Sequence, residues 1–311
     1  DRKIMASGAL QKFIDEDGIR GLTSNPSIFE NAIKNSSDYD EDIASLFKQK
    51  NNADDIFLAF AVNDIKRAAD FFKPVYKRTN GDDGYVSIEV SPRLAHDTEG
   101  TINQARKLWK DINRKNIMIK IPATMEGLPA IRHCIREGIN INITLIFDLQ
   151  RYKQVIEAYI LGLRDRVNIN QSIKGVTSVA SFFLSRIDVL IDPILEKKGL
   201  NELKGEVAIA CGKKAYEIYK RTFSSGEFKE LVAKGAKPQR LLWASTSTKD
   251  PSFNDVKYVE ALMGPETVNT ISIETLQAFN DHGRIENHLE LDVDKATFLL
   301  SSLKENSIDI S

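Results

Sequence analysis

Short apolar runs alternate along the chain with longer stretches whose apolar positions recur every three or four residues. The short runs predict strands over residues 19–24, 85–90, 117–121, 139–147, 176–181, 240–245 and 267–273. The longer stretches predict amphipathic helices, clearest over 98–113, 149–168, 182–196 (turning at Pro193) and 292–304. Residues 227–237, rich in Lys, Glu and Gly, read as a surface loop, and 224–237 as a mobile one. Strand and helix in strict alternation predict a parallel α/β fold. Periodicity alone does not separate a closed barrel from an open doubly wound sheet.

The polar positions inside the strands say more. Side chains alternate between the two faces of a strand. In 117–121, Met118 and Lys120 share one face and three isoleucines the other. In 139–144, Asn140, Asn142 and Thr144 oppose three isoleucines; in 85–90, Ser87 and Glu89 oppose Val86, Ile88 and Val90. The aliphatic face would pack under helices, and the polar face would converge at one mouth of the sheet, where barrel enzymes hold their active sites. No glycine-rich nucleotide loop follows any of these strands.

Lys120 is the sharpest of these residues. Burial between isoleucines disfavours a cation, and a neutral amine is the nucleophile that attacks a carbonyl to form an imine. A purely structural pair with Glu89, or a point charge for a phosphate or carboxylate, fits the same pattern.

Composition narrows the classes. The 311 residues are 42% hydrophobic and 28% charged, enough for a large core without disulfides or metals. Lys plus Arg (43) balance Asp plus Glu (44), which argues against a general nucleic-acid or membrane-surface binder. No apolar run reaches the roughly 18 residues of a membrane span, and the opening residues do not read as a signal peptide. Cys134 and Cys211 are expected as separate, buried, reduced thiols. His96, His133, His282 and His288 have no metal-ligand spacing, and Asp281-His282-Gly283 reads as a turn.

Five segments together carry a family resemblance. Gly21-Leu22-Thr23-Ser24-Asn25-Pro26, Val86-Ser87-Ile88-Glu89-Val90-Ser91-Pro92, Ile117-Met118-Ile119-Lys120-Ile121-Pro122, Asn140-Ile141-Asn142-Ile143-Thr144-Leu145 and Ser178-Val179-Ala180-Ser181-Phe182 through Arg186 resemble the transaldolase motifs, in the family's order. Trp243-Ala244-Ser245-Thr246-Ser247-Thr248-Lys249 is similar to its longer bacterial and plastid subgroup. The resemblance spans about residues 7–289 and implies one (β/α)8 TIM-barrel domain over 1–311.

It also implies a mechanism. Lys120 would attack the ketone of fructose 6-phosphate or sedoheptulose 7-phosphate, with Glu89 and Thr144 moving protons and Asn142 and Asn25 holding donor hydroxyls and the carbinolamine. Thr23 would support Glu89. Ser181, Arg186, Ser245 and Lys249 would face the sugar phosphate, with Ser181 also placed to cap the following helix. A dihydroxyacetone unit would pass to an aldose phosphate, in the pentose phosphate pathway. No cofactor or metal is implied, and the chain would be a monomer or homodimer in the cytoplasm or a plastid.

The chain departs from the family pattern in three places. The family's first strand and its aspartate would precede Asp1, so an N-terminal truncation is expected. Ser247, Thr248 and Lys249 stand where shorter members have an arginine, and a lysine loses the two-pronged grip. A C-terminal truncation after Ser311 is also expected. The other readings are a fructose-6-phosphate aldolase, a catalytically weak sugar-phosphate binder, and one module of a longer fusion.

Overall fold

A computed structural model describes residues 2–49 and 52–310. Asp1, on which the expected internal start rests, lies outside the described residues. The strands are β1 (Gly21–Thr23), β2 (Tyr85–Glu89), β3 (Ile117–Pro122), β4 (Ile141–Ile146), β5 (Ser178–Phe183), β6 (Arg240–Ala244) and β7 (Thr267–Asn269). They form one all-parallel sheet in strictly sequential order. Ahead of β1 come α1 (Arg2–Ala6) and α2 (Ala9–Asp15); between β1 and β2 lie α3 (Pro26–Asn35), α4 (Asp40–Phe47) and α5 (Ala53–Arg78). The crossovers that follow are α6 (Thr98–Ile112), α7 (Gly127–Glu137) and α8 (Leu149–Asn168). Next come α9 (Ser185–Lys197), α10 (Val207–Phe223) and α11 (Gly226–Val232) between β5 and β6, α12 (Lys257–Ala261) before β7, and α13 (Ile273–His282) and α14 (Val293–Glu305) after it.

Local chemistry sets the helix ends. Asp97, Asp148 and Asn52 accept the N–H of the third helical residue of α6, α8 and α5 at 2.9, 2.7 and 2.8 Å. Gly138 ends α7 in the left-handed region (φ 86°), where a side chain would be strained. Gly21 lets β1 approach β2, since a Cβ there would sit 2.8 Å from the Tyr85 carbonyl oxygen.

The sheet divides the apolar residues into two clusters. Its outer face, with Val86, Ile88, Ile119, Ile121, Ile141 and Ile143, packs under the helices in the main core. Each such side chain, buried completely, contributes about 1.5–3 kcal/mol. The inner cluster is small: Met118, Val179, Leu242 and Ala244, flanked by Tyr85, Phe183 and Val268. Polar groups take the rest of the inner face. Edge strands β1 and β7 are not paired with each other, yet both line one interior cavity, so the sheet is curled.

The structure corrects four expectations about elements. Residues 227–237 are not wholly a loop: Ser225 caps α11, and Phe228 and Leu231 anchor it in the core. The 182–196 helix begins at Ser185, because Phe182 and Phe183 belong to β5, and it runs through Pro193 to Lys197. Asp281 and His282 close α13 rather than forming a turn, and His282 Nε2 sits 2.8 Å from Asp255. β4 carries a bulge: Ile143 pairs with Ala180, but the next pairing is Ile146 with Phe182. Leu145 is the extra residue, with φ 60° and 40% exposure. Cys134 and Cys211 are free and buried, and burial pushes both thiols up to about 12. No helix among the described residues is long and apolar enough to cross a membrane.

Candidate active site

Parallel pairing places Glu89 beside Lys120 and Lys120 beside Asn142 on three consecutive strands. β3 is buried along its whole length, and Lys120 is 7% exposed. Its Nζ lies 3.0 Å from Glu89 Oε2 and donates to the Ser24 carbonyl at 3.2 Å. A buried ammonium needs such partners, because an unpaired one would forfeit its hydration without compensation.

One chain of hydrogen bonds crosses the inner face. Ser181 Oγ donates to Asn142 Oδ1 at 2.6 Å, and Asn142 Nδ2 donates to Ser87 Oγ at 3.1 Å. The amide orientation of Asn142 is thereby set from both sides. Thr144, 1% exposed, follows two residues on, immediately before the bulge.

These groups surround a cavity of about 1000 Å³. Lys120, Asn142, Thr144, Thr23, Asn25, Ser181, Arg186 and Ser245 all line it. Asn25 also caps α3, its Oδ1 accepting from Ile28 N at 2.9 Å ahead of Pro26. Arg186 stands exposed on the first turn of α9, its guanidinium carbon 5.7 Å from the Phe183 ring. Ser245 takes a left-handed backbone (φ 54°) and its Oγ lies 2.9 Å from Ser185 Oγ. At the far end, Arg20, Tyr85 and Arg240 line the same cavity, and Arg20 and Arg240 both pair with Asp83, at 3.1 and 3.0 Å.

Four sequence expectations change in detail. Glu89 does not line the cavity; it meets it only through the Lys120 amine, 3.0 Å away. Lys249 does not line it either, since its exposed Nζ donates to Ser247 Oγ at 3.1 Å, and Ser247 is the residue that does. Ser181 is not a helix cap: it lies inside β5, and α9 begins four residues later. Asn140 leaves the inward face, because it precedes β4 and donates to the carbonyls of Lys115 and Ile117 at 3.3 and 3.2 Å.

Several groups went unread in the sequence. Alternation puts Ser87 on the inner face, but its hydrogen bond from Asn142 has no sequence signal. The Ser24 carbonyl has no sequence signal. Asn269, at the end of β7, lines the cavity, and alternation along 267–273 could have flagged it. Among the described residues, Thr23 Oγ1 and Asn269 Oδ1 are buried without a hydrogen-bond partner. No described group of three or more His, Cys, Asp or Glu side chains is arranged to hold a metal.

A buried primary amine beside a carboxylate, opening on a cavity lined by amide and hydroxyl groups with a guanidinium at the rim, suits carbonyl addition and proton exchange on a polyhydroxylated, anionic molecule. Comparisons with known proteins agree with that chemistry. Residues 4–311 match the family model described as Transaldolase/Fructose-6-phosphate aldolase. The chain is 47% identical to "Transaldolase 2" of Nostoc sp. (strain PCC 7120) over 321 aligned positions, covering 99% of this chain and 84% of that protein. It is 46% identical to "Transaldolase" of Trichodesmium erythraeum (100% and 84% covered) and 44% identical to that of Mycobacterium leprae (91% and 77% covered). The chain belongs to the transaldolase/fructose-6-phosphate aldolase family.

Proposed function

We propose that this protein is a transaldolase that carries a dihydroxyacetone unit from a ketose phosphate to an aldose phosphate as a Schiff base on Lys120. The observation that carries the reading is the buried Lys120 amine 3.0 Å from Glu89 at the wall of a polar cavity. The amine adds to the ketone carbon of the donor, fructose 6-phosphate or sedoheptulose 7-phosphate. Loss of water from the carbinolamine gives the protonated imine. Glu89 takes and returns the protons of these steps together with Thr144, and Asn142 and Asn25 hold the donor hydroxyls. Breaking the carbon–carbon bond sends its electron pair into the imine, giving an enamine. The proton of the donor hydroxyl passes to solvent as that carbon becomes the carbonyl of the departing aldose phosphate. The enamine then adds to a new aldose phosphate such as erythrose 4-phosphate, and hydrolysis frees Lys120. Thr23 supports the Glu89 side, and Ser181, Arg186, Ser245 and Lys249 serve the phosphate end. Such transfer belongs to the pentose phosphate pathway.

We read the curled sheet as seven strands of a single (β/α)8 barrel, whose eighth strand fits between β7 and β1. Support comes from the parallel order and from the two unpaired edges that line one cavity. Two free buried thiols fit a reducing compartment, cytoplasm or plastid.

Incubation with fructose 6-phosphate, borohydride reduction and peptide mapping tests the reading. A reduced adduct on Lys120 is expected; binding of the sugar phosphate with no adduct anywhere would overturn the imine mechanism. Adding erythrose 4-phosphate separates transfer from release of free dihydroxyacetone, the outcome of a fructose-6-phosphate aldolase.

A further inference from the structure

Asp188 lies two residues after Arg186 on α9 and is 2% exposed. Its Oδ2 accepts from the Tyr258 hydroxyl at 2.7 Å, and its Oδ1 from the Ala208 N–H at the start of α10 at 2.8 Å. Tyr258 is itself 2% exposed and sits on α12, at the far end of the segment that leaves β6. The near end of that segment is tied to the same helix. The Ser185 N–H donates to the Ser245 carbonyl at 3.0 Å, and the two hydroxyls lie 2.9 Å apart. The chain therefore leaves the start of α9 at Ser245 and returns to the end of its first turn at Tyr258, through Asp188. Thr246 and Ser247, between the two ties, line the cavity with Arg186.

Space alone does not explain the second tie, since an apolar pair would fill it without the cost of burying a carboxylate. What the pair adds is direction. A charge-assisted hydrogen bond of fixed geometry links the helix that carries Arg186 to the segment that carries Ser247 and Lys249. We propose that Asp188 and Tyr258 are positioning residues that set the span between Arg186 and the Ser245–Lys249 segment, and hence the grip on the phosphate of the sugar. The inference rests on the proposed reading of those residues as the phosphate end of the site.

The test compares the protein with Tyr258→Phe and Asp188→Asn variants. Tyr159→Phe is the control, because it loses another buried tyrosine hydrogen bond (to the Lys237 carbonyl, 2.8 Å) away from the mouth. Two readouts are used: the Kd for inorganic phosphate, which needs no turnover, and KM against kcat for fructose 6-phosphate and for unphosphorylated fructose. Tyr258→Phe is expected to weaken phosphate and raise KM for the phosphorylated donor by about five- to tenfold, the scale of one hydrogen bond. It should leave kcat and the unphosphorylated donor within about twofold. Asp188→Asn, which keeps an acceptor oxygen, should fall between it and the parent, and Tyr159→Phe should match the parent. Unchanged phosphate affinity in folded Tyr258→Phe, equal losses on both donors, or an equal loss in Tyr159→Phe would overturn the proposal. So would a parent protein that binds no phosphate. A parent that binds phosphate but forms no Lys120 adduct would instead sink the transaldolase reading and leave the phosphate readout decisive.

Discussion

The Lys120 amine and the Glu89 carboxylate are neighbours in register on adjacent parallel strands, 3.0 Å apart and largely withdrawn from water. Removing one partner strands the other. Lys120→Met should abolish the borohydride adduct and destabilise the fold by about 3–5 kcal/mol. The double variant with Glu89→Gln should recover part of that stability and none of the activity. Thermal melting beside adduct mapping checks both, and a Lys120→Met protein as stable as the parent would contradict the pairing.

Glu89→Gln alone keeps the shape and removes the proposed proton carrier. General acid–base groups contribute roughly 10²–10⁴-fold, so kcat should fall within that range while sugar-phosphate binding persists. Steady-state kinetics with an independent binding titration reads both quantities.

The strand chemistry was legible for a simple reason. Alternation places Glu89, Lys120, Asn142 and Thr144 inward wherever a strand is regular, and most of this sheet is. Leu145 broke the rule. Continued alternation from Asn142 would turn Ile146 to the cavity, but the bulge returns it to the outer core beside Ile141 and Ile143. One left-handed residue leaves no mark in a hydrophobic pattern. Ser181 and Asn140 were misread because strand ends depend on the neighbouring strand. The Ser24 carbonyl and the Asp188–Tyr258 tie depend on contacts between elements far apart in sequence.

That bulge makes its own prediction. A β-branched residue at positive φ is strained beyond what leucine already bears there, so Leu145→Val should cost about 1 kcal/mol. Leu145→Gly should be close to neutral, because relief of strain offsets the greater freedom of the unfolded chain. Melting temperatures decide it; equal losses in both variants would place the cost in side-chain packing instead.

Arg186 and Lys249 are expected to contribute unequally. Arg186 lines the cavity and Lys249 reaches it only through Ser247. Arg186→Ala should raise KM for a ketose phosphate by about tenfold or more, and Lys249→Ala by less than about threefold, since a guanidinium binds phosphate in a forked geometry. The reverse order would show that the lysine is the principal contact.

Asp188 should leave a signature in pH. Burial raises its carboxyl to about 6, outweighing the bonds from Tyr258 and the Ala208 N–H. The native state then holds a proton that the unfolded chain, titrating near its ordinary value, has already lost. Stability from this group is therefore greatest in acid, falls as pH rises from about 4 to about 6, and is level above that. The stability difference between the parent and Asp188→Asn should shrink over that window by at most about 3 kcal/mol. A difference independent of pH would contradict the raised value.

The strictly sequential strand order also bears on how the protein is made. Each strand after β1 pairs with the one before it, so every such strand leaves the ribosome after its partner has been synthesised. In chain order Glu89 comes first, then Lys120, then Asn142 and Ser181, and the Ser245–Lys249 segment follows. The proposed nucleophile is thus synthesised well before the proposed phosphate-binding segment, and a chain ending between the two would carry Lys120 without that segment.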